Sequence, residues 1–300
     1  MKNVIYLLLL LYVTNIAANE IAITFDDGPR ADTRLFTGKE RTAKLIKNLQ
    51  KAKVEDALFF ITTGHINEQS KARVNAYTNA GFHLANHSHS HFSAHNTALD
   101  TYLHDIAKAK NILAGFDNVL PYYRYPYLHE GKDRKTRDRI RQHLQSLGYK
   151  NGYVTVDNYD WYMDRLLQNA LADGKSVDYE KLKQAYVSIL WEAIRFYDDI
   201  GQSVLGRSPK HVLLLHENDI AALFIGDLVA KLRAEGWQII SAQEAFQDPI
   251  ATEVPDVLFN GQGRVSAIAK SKGWENNRLR DNSSSEQYLK TYFEKQQIFQ

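Results

Sequence analysis

The chain is 300 residues long, with 44% hydrophobic residues, 24% charged residues and a formal net charge of +2. That length and balance suit one large folded domain, and the small net charge excludes a general electrostatic pull toward nucleic acid or anionic membrane. With no cysteine, disulfides, thiolate metal sites and cysteine nucleophiles are excluded as well.

The first element is MKNVIYLLLLLYVTNIAA, residues 1–18, in which Lys2 precedes an apolar stretch from Val4 to Val13 and small residues Ala17 and Ala18 close the segment. This is the layout of a secretory signal peptide, and the stretch is short for a membrane span. It predicts export to the periplasm or the extracellular space, with no stable membrane span once the segment is cleaved. After it, EIAITF reads as a strand, and KERTAKLIKNLQKAKV sets Leu45, Ile46 and Leu49 at helical spacing. DALFFIT is a second short apolar run, followed by the helical NEQSKARVNAYTNAG with Gly81 as its stop. FHLANH is a third strand candidate, and TALDTYLHDIAKAKNILAGF is an amphipathic helix ending at Gly115. YYRYPY reads as a short strand or loop end, KTRDRIRQHLQSLG as a helix, and GYVTVD and HVLLLH as strands. The basic run from Gly131 to Gln142 is interrupted by Asp133 and Asp138 and reads as the solvated face of a helix.

Strands alternating with helices predict a parallel α/β architecture, in which chemistry gathers at the carboxyl ends of the strands. Asp26, Asp27, His87, Arg124, Asp157 and His216 each follow a predicted strand, so they are candidates for one shared rim. Two regions break the rhythm. Residues 163–210 hold helical patterns and no strand, which predicts a helical insertion in a domain of residues 19–250. Residues 251–300 are a C-terminal extension whose last helix either packs on the domain or hangs loose.

The second focus is GFHLANHSHSHFSAH. His87 and His91 are four apart, a spacing that brings both imidazoles to one face of a helical turn and suits a shared divalent metal. His91 and His95 share that spacing, and His89 lies between, so spacing alone does not rank the histidines. Together with the carboxylates of TFDDGP, two imidazoles make a mixed oxygen and nitrogen set with positions open for water and substrate. Coordination would also neutralise one of two adjacent aspartates and leave the other free as a base.

Five motifs then stand in order: TFDDGP (24–29), NHSHSH (86–91), RYPY (124–127), DNYDW (157–161) and LLLH (213–216). In this the sequence resembles the polysaccharide deacetylases of carbohydrate esterase family four, the NodB-homology domain, from about Ile21 to Phe246. The resemblance implies a distorted (β/α) barrel, with Asp27, His87 and His91 holding a divalent metal. Zinc is implied in the first place, with cobalt, nickel or manganese as alternatives. It further implies Asp26 as the general base toward the attacking water, His216 as the general acid, Arg124 as the partner of Asp26, and Asp160 as the group that orients His216. The backbone N–H of Tyr127 would face the oxyanion, and Trp161 and Leu214 would shape the wall around the acetyl methyl. By the same pattern His89 and His95 are loop residues, and Asp157 is open between a site role and a cap. His65, His83, His104, His129, His143 and His211 read as structural or surface residues, and Tyr122, Tyr123 and Tyr125 as packing. HEND departs from the His-Asp that often closes the last motif.

The function these readings imply is an exported, metal-dependent hydrolase that removes N-acetyl groups from amino-sugar glycans of the peptidoglycan or chitin type. Its partner is an acetylated glycan rather than a nucleic acid, and the oligomeric state is left open. The alternatives are an O-acetyl esterase on a polysaccharide such as xylan, and a carbohydrate-binding barrel that no longer catalyses.

Overall fold

The structure, a computed structural model, describes residues 18–300. The signal-peptide segment 1–18 lies, but for Ala18, outside the described residues. In chain order the elements are β1 (Glu20–Gly28), α1 (Gly38–Lys51), β2 (Leu58–Ile61), α2 (Glu68–Asn79), β3 (His83–Asn86) and α3 (Leu99–Leu113). There follow β4 (Val119–Tyr123), α4 (Arg134–Ser146), β5 (Lys150–Asn151), α5 (Asp160–Ala172), α6 (Tyr179–Leu205) and β6 (His211–His216). The last are α7 (Asp219–Ala234), β7 (Gln238–Ile240), α8 (Ala242–Ala245), α9 (Arg264–Ser271) and α10 (Glu286–Lys295).

The strands pair in parallel in the order β5-β4-β3-β2-β1-β6, and β7 pairs with the start of β1. Both faces are covered, which is why β1, β2 and β6 read as continuous apolar runs rather than alternating ones. Residues 150–156 begin paired to β4 and end in a parallel bridge from Val156 to Leu213 of β6, joining the two edges of the sheet into a barrel. Several helices start on encoded caps. Thr37 and Glu40 form a capping box on α1, Asp133 caps α4, and Asp178 caps α6, which stops at Gly206 with φ +72°. Among the described residues, no helix is long and apolar enough to cross a membrane.

Four expectations need correction. GYVTVD (152–157) is not a strand: the regular pairing of β5 stops before it at Asn151, and within it only Val156 bridges to Leu213, because the segment crosses from one sheet edge to the other. The strand before RYPY begins earlier, at Val119, and ends at Tyr123. The short β7 and α8, too brief to show a period, were not anticipated. The fourth concerns the histidines, which sit on a loop and not a helical turn.

Beyond residue 250 the chain is packed on the core. Leu279, Leu289, Phe293 and Ile298 are buried in the main apolar cluster with Ile189, Ile194 and Val265. The final residues pair with the segment before α6, through Ser176 and Gln300, and Asp178 N–H donates to Ile298 O.

Candidate active site

β1 ends in the two aspartates, and the backbone turns them apart. Asp27 takes φ +68°, a left-handed conformation that Asp adopts more readily than most residues, so strand alternation stops there. Asp26 is the register partner of His216 across β1 and β6. Its Oδ1 accepts from Arg124 Nη1 at 2.7 Å. The same Nη1 reaches Thr24 Oγ1 at 2.7 Å, and Arg124 Nε donates to Gly152 O at 2.7 Å. The guanidinium also lies 3.8 Å from the centre of the Phe60 ring. Four fixed contacts therefore hold one buried cation against one buried carboxylate.

His87 follows β3. Its Nδ1 lies 2.9 Å from Arg124 O; a carbonyl can only accept, so Nδ1 carries the proton and Nε2 turns its lone pair to the aspartates. Burial pushes the His87 pKa down to about 4 against the pull of Asp26, which keeps the ring neutral at physiological pH. His91 Nε2 is 3.2 Å and His87 Nε2 3.6 Å from Asp27 Oδ1. Burial alone would raise the Asp27 pKa, but the approach of His91 and the charge of His216 outweigh it and hold the carboxyl well below the usual range. Asp27, His87 and His91 each offer a ligand atom, all within 4.8 Å of one another. Asp27 Oδ1 is buried and accepts no hydrogen bond. An orphaned carboxylate oxygen facing two imidazole nitrogens fits a divalent transition metal.

The two histidines meet without a helix. Ser88 and His91 have φ +70° and +54°, which folds residues 87–91 back on themselves. Buried Asp105 of α3, which sequence reasoning missed, accepts from His89 N–H at 2.8 Å and Ser90 N–H at 3.1 Å. Its signal was an acid on the apolar face of an amphipathic helix. His89 instead bonds Thr63, and His95 lies near Asn260; neither joins the donor set.

His216 Nδ1 is 2.6 Å from Asp160 Oδ1, and Asp160 Oδ2 accepts His216 N–H and Asn218 Nδ2. Burial would lower the His216 pKa, but Asp160, with Asp27 and Asp26, carries it up to about 9. Asn158, also missed, accepts Asp160 N–H and donates to Leu214 O, tying this segment to β6. Asp157 is buried, lies 3.3 Å from Gln262 Nε2, and burial raises its pKa to about 7. It is not the cap of α5, whose cap position is Tyr159.

Leu214 shares with His216 the face of β6 turned to the site, two residues apart. Trp161 stands on the first turn of α5, 5.0 Å from the Tyr159 ring and beneath Arg165. Tyr127, at φ +57°, is 56% exposed, with its ring 4.6 Å from His91. The HEND departure is structural. Buried Glu217 accepts from Arg30 N–H at 2.6 Å, Tyr77 Oη at 2.7 Å and Arg73 Nη2 at 2.9 Å, while Asn218 caps α7. A groove of about 1350 Å³ leads away from Asp27 between α1 and α2, past Arg30, Lys39, His65 and Arg73.

Residues 15–152 match the polysaccharide deacetylase family. The peptidoglycan-N-acetylglucosamine deacetylase of Bacillus cereus is 26% identical over 235 residues, covering 76% of this chain and 68% of that protein. Among solved structures, a T48 deacetylase with substrate superposes with a TM-score of 0.51 at 18% identity, over 77% of this chain and 92% of that one. A family 4 carbohydrate esterase pseudoenzyme from Bacillus anthracis gives 0.52 at 14% identity, over 76% and 66%. The family 4 acetyl xylan esterase of Clostridium thermocellum, solved with cobalt, gives 0.50 at 19% identity, over 76% and 91%. These structures share the barrel fold. Residues 15–152 thus match the polysaccharide deacetylase family, on a chain that shares the barrel fold of these structures.

Proposed function

We propose that this chain is a metal-dependent deacetylase that hydrolyses N-acetyl groups of an amino-sugar glycan of the peptidoglycan or chitin type. The observation that carries the reading is the placement of Asp26 and His216 on register-paired strand ends beside the Asp27–His87–His91 set. The similarity to a peptidoglycan-N-acetylglucosamine deacetylase supports the substrate class, and the open groove has room for a polymer.

In this reading Asp27, His87 and His91 hold a divalent ion, zinc before cobalt, nickel or manganese. When bound, the ion supplies a Lewis acid and lowers the pKa of water at its open positions. Asp26, oriented by Arg124, takes the proton of the attacking water. The Tyr127 N–H faces the oxygen on which negative charge develops, and Trp161 and Leu214 bound the acetyl methyl. His216 keeps its proton at neutral pH and delivers it to the departing nitrogen. The C–N bond breaks, leaving acetate and a free amine. That raised His216 pKa favours amide over ester cleavage, because an amine leaving group needs the proton more than an alkoxide does. The leader-like residues 1–18 support action outside the cytoplasm, which N-terminal sequencing of a fractionated protein tests.

The decisive experiment is acetate release from N-acetylglucosamine oligomers, peptidoglycan and acetylated xylan, by metal-stripped protein and by protein reloaded with each metal. Release from the amino-sugar substrates, and only after reloading, is the expected result. No release from any of them would leave a carbohydrate-binding protein.

A further inference from the structure

A chain of aromatic rings leaves the candidate metal set at His91. The Tyr127 ring lies 4.6 Å from His91, His129 lies 5.6 Å from Tyr127, and His95 lies 5.5 Å from His129. Tyr127 and His95 are exposed, and His129 is half-buried. Burial, with His95 beside it, lowers the His129 pKa, so that ring is neutral at physiological pH. Ser93 Oγ engages His129 Nδ1 at 2.9 Å, and Asn260 Nδ2 stands 3.4 Å from His95 Nδ1. Nε2 is left as the remaining polar edge of each ring. Of the charged groups around the rings, Glu130 is paired with Arg141, and the Arg280 guanidinium approaches Gly261 beside His129 Nε2.

The loop that carries these rings is held from the C-terminal segment. Tyr127 and Leu128 have φ +57° and +53°, two successive residues in a conformation that side chains other than glycine rarely adopt. Gly261 N–H donates to Leu128 O at 3.2 Å. Asn260 Oδ1 accepts Glu130 N–H at 2.9 Å, and its Nδ2 donates to Gly131 O at 3.0 Å. Residues 260–261 therefore fix a strained turn whose ring would otherwise have little to keep it beside His91.

We propose that Tyr127, His129 and His95 form a shelf for pyranose units of the glycan beyond the acetylated one, with Asn260 as its positioning residue. This rests on the deacetylase reading above. A pyranose offers a C–H face to an aromatic ring and hydroxyls at its edge, and rings with polar edges match both. Continuity with His91 at one end makes the glycan the occupant.

The test is binding, read by calorimetry on the metal-stripped protein with N-acetylglucosamine hexamer and dimer as probes. The hexamer should bind more tightly than the dimer. His129→Ala, His95→Ala and Asn260→Ala should each weaken the hexamer about five- to tenfold, with dimer affinity and melting temperature unchanged in the two histidine variants. His129→Phe, which keeps a ring, should restore most of the loss. Wild-type affinity for the hexamer in all three alanine variants would overturn the shelf, as would a wild-type protein that binds hexamer no better than dimer. Acetate release tests the deacetylase reading separately: a protein that binds in this pattern and releases nothing fails that reading and keeps the shelf.

Discussion

Asp26 and Asp27 are covalent neighbours with separate partners, and the separation rests on one backbone angle at Asp27 and one buried arginine. Asp27→Ala or His87→Ala removes one donor of three, and metal affinity in chelator competition should fall about 100-fold or more. Arg124→Leu would leave Asp26 buried without its counter-charge, which should cost about 3–5 kcal/mol in urea unfolding. His216 carries the pH dependence. Its folded pKa of about 9 stands above the ordinary 6.5, so the folded state binds that proton more tightly. The resulting stability is fully present below 6.5 and is lost as pH rises through 9. Acetate release should show an alkaline limb near pH 9. Asp160→Asn should move that limb to lower pH, and an unmoved limb would remove Asp160 as its cause.

At the scale of elements, the site is assembled by strand ends and one loop. β1 and β6 deliver Asp26 and His216 in register, while the loop after β3 delivers both imidazoles through left-handed Ser88 and His91. The four-residue histidine spacing was legible in the sequence, but its reading as a helical turn failed. A loop with two positive φ values brings positions 87 and 91 together as well as a helix does, and no local pattern distinguishes the two. What holds that loop lies sixteen residues on, in Asp105 of α3. Asp105→Ala should loosen it and lower metal affinity about tenfold with helix content unchanged, measured by chelator competition beside circular dichroism. Glu217 was legible only as a departure from a pattern. Its role appears once α1, α2 and the Arg30 loop are folded around it.

For the whole molecule, the C-terminal residues belong to the core and to the surroundings of the site. Phe293 and Leu289 are buried under the same cluster as α6 and α9, so Phe293→Ala should cost about 3–5 kcal/mol in chemical denaturation. Gln262 meets Asp157, and residues 260–261 hold the Tyr127 turn. Asp157 is an acid whose folded pKa, about 7, exceeds its ordinary 3.8 because of burial. Stability from its bound proton is therefore full below 3.8 and lost as pH rises through 7. Asp157→Asn should raise the melting temperature at about pH 8 more than at about pH 5.

The sequence by itself determined the parallel α/β alternation and placed Asp26, Asp27, His87, Arg124, Asp157 and His216 after strands, while Asp160 entered through the resemblance that the five motifs carry. The alternation and the strand ends follow from hydrophobic period and side-chain chemistry, which are local properties. Tertiary structure alone decided how residues 150–156 close the barrel, why Asp105, Asn158 and Glu217 matter, and where the C-terminal segment meets Tyr127. Each of these is a contact between segments far apart in the chain, set by how the elements pack, and no local pattern in either segment records it.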